Sequence, residues 1–310
     1  MSGRVLQMSG PAAVCGLCSS PDVRDLFVIK GTQLKKCGNC GAAFVYPLPD
    51  SAELISEYQD DYFASRDHLE WGYENYFSLE GDVRETARRR LKLMSRYIRD
   101  GKLLEGGAAT GWFLDEARRQ GFQVQGAEVS GFAAKWGEDN LRVPIFNGTL
   151  REAAFADGEF DVVVLWDVLE HLTEPLEELY EIHRVLKPGG YLFVSVPDYG
   201  SIWARALGRR WFGFTKIREH VYYYNRHALA GVMGRAGLKV VKAQSSPFLV
   251  NLDFFVSKIA QYSSPAAKAL ARVLAKLRLQ NRKIQLLKVD LLMVARKETS
   301  PAQPRRFPRL

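Results

Sequence analysis

The chain contains no run of about 18 consecutive apolar residues, the length a membrane-spanning helix requires, and its first 14 residues lack the apolar centre of a secretory signal. Both absences point to a cytoplasmic protein. Cysteine is scarce, with four in 310 residues and none beyond Cys40, so a disulfide framework is not expected. A net positive charge is missing from most of the length. The net charge is +8, yet residues 251–310 hold 13 Lys/Arg against 3 Asp/Glu and leave residues 1–250 at −2. A slightly acidic body argues against a catalytic domain built round a nucleic-acid groove, whose cations must lie close to the chemistry. No nucleic-acid partner is expected.

What remains is globular. Hydrophobic residues make up 47% and charged residues 25%, enough apolar side chain for a large core. A length of 310 residues suits one α/β domain with a small accessory module.

The cysteines form two knuckles, Cys15-Gly-Leu-Cys18 and Cys37-Gly-Asn-Cys40, with 18 residues between them. Each C-x2-C pair brings two thiolates to one ion, and the gap matches a four-thiolate zinc ribbon. Four protein ligands leave no open coordination position, so the zinc at Cys15, Cys18, Cys37 and Cys40 is expected to be structural. The competing reading, two disulfides, suits an oxidising compartment instead.

Along the chain, residues 1–14 read as a loose lead, 15–46 as the ribbon, 47–81 as a linker with a helical segment, and 299–310 as a disordered tail. A helix is predicted over 82–99, with Asp82 and Glu85 placed as a capping box. From residue 101 strand-like and helix-like segments alternate: strands at 102–107, 123–129, 143–146, 160–167 and 191–196, the last after a turn at Pro188-Gly-Gly, with helices at 112–120, 132–140 and 176–186. Such alternation predicts a parallel sheet with helices on its faces. The apolar run 162–165 reads as a strand covered on both sides. A substrate-sized insertion at 197–225 precedes a helix at 227–236 and strands at 238–243 and 290–296.

The segment 103–111, LLEGGAATG, is a strand end, a small-residue turn and a helix start, which lets a ligand approach the backbone closely. The next strand ends in Glu128, 21 residues past Gly107, where a carboxylate can accept from both hydroxyls of a ribose. Together they indicate an adenosine-bearing cofactor. Glu105 discriminates further: its charge would repel a pyrophosphate but suits the ammonium and sulfonium of S-adenosylmethionine (SAM).

From residue 103 to 296 the chain resembles the class I SAM-dependent methyltransferases. The loop Glu105 to Gly111 is similar to that family's E/D-x-G-x-G-x-G, with Ala109 in place of the middle glycine. FDVVVLWDVLEHL at 160–172 and RVLKPGG at 184–190 resemble its fourth strand, helix and fifth-strand approach. The resemblance implies a Rossmann-like, doubly wound, mostly parallel seven-stranded sheet over 82–298. It places Gly107, Ala109 and Gly111 along the methionine moiety, Glu128 on the ribose, Thr149 and Leu150 at the adenine, and Trp166 with Asp167 at the methionine end. The whole layout, ribbon included, is similar to bacterial zinc-ribbon methyltransferases of polysaccharide and secondary-metabolite pathways. That implies a small-molecule acceptor such as a sugar, a glycolipid or a secondary-metabolite intermediate, and leaves the acceptor atom and oligomeric state open.

Methyl transfer is an in-line displacement in which the enzyme positions the nucleophile and removes its proton where needed. Two histidines suit that base. His171 follows the fourth strand of the predicted sheet, and His220 lies in the aromatic insertion at 211–224; a backbone-bonded or packed histidine is the alternative at each. Arg205, Arg209, Arg210 and Arg218 could grip an anionic acceptor or be solvated. His183 reads as surface. Within an insertion at about 250–288, Leu270, Val273, Leu274 and Leu277 face away from Lys268, Arg272 and Lys276, a basic amphipathic helix suited to an anionic membrane surface or to packing on its own domain. The alternative to an enzyme is a non-catalytic SAM-binding or zinc-ribbon interaction protein.

Overall fold

A computed structural model describes residues 13–56, 76–252, 256, 264–277, 279 and 283–299. Residues 1–12 of the expected lead, 57–75 of the expected linker and 300–310 of the expected tail lie outside the described residues.

The body is a seven-stranded sheet in the order β10-β11-β8-β7-β4-β5-β6, formed by β4 (Gly101–Gly106), β5 (Phe122–Glu128), β6 (Ile145–Asn147), β7 (Phe160–Trp166), β8 (Leu186–Pro197), β10 (Leu238–Asn251) and β11 (Lys283–Lys297). Only β11 runs antiparallel to its neighbours. This is the doubly wound α/β architecture expected. The run Val162–Leu165 explains why β7 is central. Val163 and Leu165 enter one core and Val162 and Val164 the other, all four with no exposed surface.

Helices α2 (Glu80–Met94), α3 (Trp112–Arg119), α4 (Gly131–Leu141), α5 (Pro175–Val185) and α7 (Arg226–Arg235) flank the sheet, a short α1 (Ser51–Ser56) follows the ribbon, and a short α6 (Ile202–Leu207) lies in the insertion. The predicted capping box is not formed: α2 begins two residues earlier, its N-cap Leu79 offers no side-chain bond, and Asp82 lies inside the first turn. What seats α2 is charge. Buried Asp115 of α3 takes Arg84 at 2.7 Å, Arg118 at 2.8 Å and Arg119 at 3.0 Å.

Pro188-Gly-Gly does not interrupt its strand. It lies within β8 as a bulge, with a register shift against β7 and Gly189 at φ +83°. The last two strands also run beyond their predicted ends, paired from Leu238↔Lys297 to Asn251↔Lys283. The helix between them, α8 (Ser264–Lys276), buries Ala267 and Leu274 but leaves Val273 52% and Leu277 59% exposed, so only part of its apolar stripe packs on the protein. None of the described helices is long and apolar enough to cross a membrane.

The largest departure concerns the ribbon, read as a small accessory module at 15–46. Its strands β1 (Val23–Ile29), β2 (Thr32–Cys37) and β3 (Ala43–Tyr46) gain a fourth from the insertion, β9 (Tyr222–Tyr223), which pairs with β3. Cys15, Leu17, Cys40 and Phe44 share one core cluster with Val163 and Leu229 of the large domain. A module this small buries too little surface on its own, and the aromatic insertion supplies the rest.

Candidate active site

Strand order reverses between β4 and β7, the point at which an open α/β sheet binds ligands outside its carboxyl ends. Every residue assigned to the cofactor lies along that edge. The turn leaving β4 holds Gly107 at φ +67°, Ala109 at +47° and Gly111 at +77°. Gly111 cannot be replaced there, because a Cβ would stand 2.7 Å from a Val143 methyl. Ala109 occupies the left-handed region at a cost of about 1–2 kcal/mol. A hydrogen bond holds it: its amide donates to Glu128 Oε2 at 2.7 Å. Through Oε1 the same buried carboxylate accepts from the Ser130 amide at 2.9 Å, tying the turn to the exit of β5.

Glu105 ends β4 almost fully buried, and its Oε2 has no hydrogen-bond partner. Burial raises its carboxyl well above the usual range, the Arg90 charge opposes this, and Glu128 adds to it. A cation in the crevice would satisfy both acids. Leu150 is buried beside Gly106, while Thr149 is held by Glu152, to which its amide and hydroxyl donate at 2.8 and 2.9 Å.

Trp166 and Asp167 close β7, and they meet a residue that the sequence reading missed. Arg90, from α2, lays its guanidinium 4.4 Å from the Trp166 ring centroid and donates to Asp167 Oδ2 at 2.9 Å and Ser195 Oγ at 3.3 Å. Ser195 in turn donates to Asp167 Oδ1 at 2.8 Å, while Arg90 Nε is buried without a partner. No local pattern singles out Arg90 among the consecutive arginines 88–90. The docking of α2 does.

His171 ends a 3-10 turn after β7 (Leu169–His171), and His220 lies two residues before β9. Read as alternatives in the sequence, they form one unit, their rings edge to face with centroids 4.7 Å apart. Burial drives the His171 pKa down to about 3 and that of His220 well below its ordinary value, so both imidazoles are neutral near pH 7. The backbone carbonyls of Glu219 and Gly213 oppose this lowering at His171 and His220 respectively. His220 Nδ1 is left without a partner.

Beside them sits Glu170, also missed, 1% exposed and with no other residue's hydrogen bond on either carboxylate oxygen. Its sequence signal was the adjacent pair Glu170-His171 in a strand-exit motif. By contrast Arg205, Arg209, Arg210 and Arg218 are all exposed, and His183 is half-buried on α5.

At the ribbon, the sulfurs of Cys15 and Cys40 stand 3.7 Å apart and those of Cys18 and Cys37 3.5 Å, all four within 4.8 Å of one another. That is far beyond a disulfide bond of about 2.05 Å, and close to the roughly 3.8 Å edge of a tetrahedron with Zn–S bonds near 2.3 Å. The donor set fits zinc. The site is tied to the insertion that carries His220: Asn225 Nδ2 donates to the Cys40 carbonyl at 3.1 Å, Arg235 donates to the Leu17 carbonyl, and the Val45 amide to the Val221 carbonyl at 3.0 Å.

Comparison with known proteins agrees with this arrangement. A protein of Mycolicibacterium smegmatis named "Probable S-adenosylmethionine-dependent methyltransferase" is 37% identical over 101 residues, 31% of this chain and 38% of that one. A "Ubiquinone biosynthesis O-methyltransferase" of Caulobacter vibrioides is 32% identical over 124 residues, 34% of this chain and 48% of that one. The chain thus spans less than half the length of these two relatives. A solved SAM-dependent methyltransferase from Archaeoglobus fulgidus shares the fold, with TM-score 0.50 and 19% identity over 72% of this chain and 99% of that one. A family described as a methyltransferase domain matches residues 79–243, more than half of the chain, from the start of α2 into β10. With its sheet order and glycine turn already in view, the chain belongs to that methyltransferase domain family.

Proposed function

We propose that this protein transfers the methyl group of SAM to an oxygen of a small-molecule acceptor, and that a structural zinc holds its N-terminal ribbon. The observation that carries the reading is the crevice at the strand reversal, where buried Glu105 has an unpartnered oxygen and Glu128 faces the same turn. Burial holds these acids toward their neutral forms, and a cationic nucleoside entering the crevice would favour their ionised forms where a pyrophosphate would oppose them. Gly107, Ala109 and Gly111 would pass the methionine moiety, Glu128 would accept from the ribose hydroxyls, and Thr149 with Leu150 would flank the adenine. Trp166 and Asp167 would close the methionine end, with the Arg90 guanidinium placed for a carboxylate. Bound there, SAM supplies an electrophilic methyl on a sulfonium.

Activation of the acceptor falls to His171 and His220 together, since both are neutral and meet at the carboxyl edge of the sheet. Oxygen as the acceptor atom is supported by the O-methyltransferase named above. The expectation of a sugar, glycolipid or secondary-metabolite acceptor rests on the ribbon-bearing layout. Peripheral contact with an anionic membrane is supported by exposed Val273 and Leu277 beside Lys268 and Arg272.

The test is calorimetric. SAM should bind and NAD should not, and Glu128→Ala should weaken SAM about tenfold or more, the equivalent of roughly 1.5–3 kcal/mol for a charged hydrogen-bond acceptor. Equal affinity in the variant would refute the ribose assignment. Metal analysis should find one zinc per chain at the cysteines, and none in freshly purified protein would refute the ribbon's zinc.

A further inference from the structure

Besides the four cysteines, one group of side chains among the described residues gathers three ligand atoms at a common point: Glu170, His171 and His220, within 4.8 Å of one another. The fold brings them from two segments, the turn after β7 and the end of the insertion, and locks them together. The Val221 amide donates to the Glu170 carbonyl at 2.8 Å, and the Tyr224 hydroxyl to the Leu169 carbonyl at 3.3 Å.

Three features separate this cluster from packed polar residues. Both oxygens of Glu170 and Nδ1 of His220 are buried with no hydrogen bond from another residue, although buried polar atoms ordinarily find partners. A backbone carbonyl acts on each imidazole, that of Glu219 on His171 and that of Gly213 on His220. An N–H given to such a carbonyl is how proteins orient histidine ligands of metals. Finally, negative charge gathers at Glu170: Asp167 and Asp290 both act on it, and the nearby cations are already paired, Lys216 with Glu219 at 3.0 Å and Arg90 with Asp167 at 2.9 Å.

We propose that Glu170, His171 and His220 form a second metal site, distinct from the ribbon, that binds a divalent first-row cation. Two imidazoles and one carboxylate suit such ions, and three protein ligands leave coordination positions open. With bonds of about 2.1 Å an ion would draw its ligands to about 3–3.5 Å of one another, inside the 4.8 Å within which they already stand. The cluster lies at the exit of β7, next in the chain to the residues assigned to the methionine end.

The role of the ion rests on the methyl-transfer reading. It would lower the pKa of an acceptor hydroxyl, the proton leaving to solvent. The oxygen then forms the O–CH3 bond as the C–S bond breaks and its electron pair returns to sulfur. The acceptor class is a hydroxyl compound able to bind a metal.

The test uses the full chain with its ribbon zinc in place, freed of weakly held metal and titrated with Mn2+ while electron paramagnetic resonance reads the free ion. One Mn2+ per chain is expected, weakened at least tenfold in both Glu170→Gln and His220→Asn. Calorimetric SAM binding and ribbon zinc, both retained, show that the variants are folded. No uptake by the wild type up to millimolar Mn2+, or uptake unchanged in both variants, overturns the site. Failure of the wild type to bind SAM would overturn the methyl-transfer reading instead, and the Mn2+ titration would still decide the metal.

Discussion

Phe44 of the ribbon and Tyr222 of the insertion are partners in one antiparallel ladder, their rings 6.0 Å apart, and Tyr222 stands two residues from His220. A Cβ on Gly16, in the first cysteine knuckle, would collide with the Tyr222 hydroxyl. The ribbon is therefore one wall of the region that positions the histidine pair.

Loss of the ribbon metal should accordingly strike the acceptor side first. Cys40→Ser should lower turnover at least about tenfold while SAM affinity, measured by calorimetry, changes by no more than about twofold, because β1, β2 and β3 belong to a sheet with β9 of the insertion and not to the sheet that carries the turn at 107–111. Parallel loss of both quantities would mean that the ribbon supports the whole domain.

Arg90 provides a test of the methionine end. Arg90→Met keeps apolar contact with Trp166 but removes the guanidinium, and SAM affinity should fall about tenfold or more for the loss of a charge-assisted pair. Methylthioadenosine, which lacks the amino-acid end, should bind wild type and variant alike. A similar loss for both ligands would make Arg90 a fold-supporting residue only.

Because their rings touch, His171 and His220 should not behave as independent sites. Each substitution to alanine should cost roughly 100-fold in turnover, and the double variant little more than the worse single one. Additive losses in a double-mutant cycle would argue for separate roles, and losses below about tenfold for proximity alone.

Glu178, on α5, carries a pH signature. Burial raises its carboxyl from 4.5 to about 7, against the pull of Arg151. Between those values the folded chain holds a proton that the unfolded chain has released, so Glu178 makes stability decline as pH rises through this window. Glu178→Gln removes the ionisation and should melt higher than wild type at pH 8 but nearly level with it at pH 5. An equal difference at both values would exclude the cause.

Much of this architecture was legible in the order of the residues. The cysteine knuckles are local, since two cysteines three apart in a tight turn meet whatever the rest of the chain does. The run at 162–165 read as a strand covered on both faces, and both cores do take alternate members of it. The turn at Gly107, Ala109 and Gly111 was visible as small residues between a strand and a helix, and its positive φ angles follow from the same requirement. The expected cap at Asp82 failed because the anchoring of α2 comes from Arg84 reaching Asp115, a contact between helices that no local pattern shows.

Local chemistry was thus set by the sequence itself: a strand, a turn or a knuckle depends on residues within a few positions of one another, where chain geometry leaves few choices. Which of three arginines lies over Trp166, that His171 and His220 form one unit beside Glu170, and that the ribbon borrows a strand from the insertion were decided only by the tertiary structure. Each joins segments far apart along the chain. Their meeting depends on which faces the sheet and its helices bury together, a property of the whole packed core.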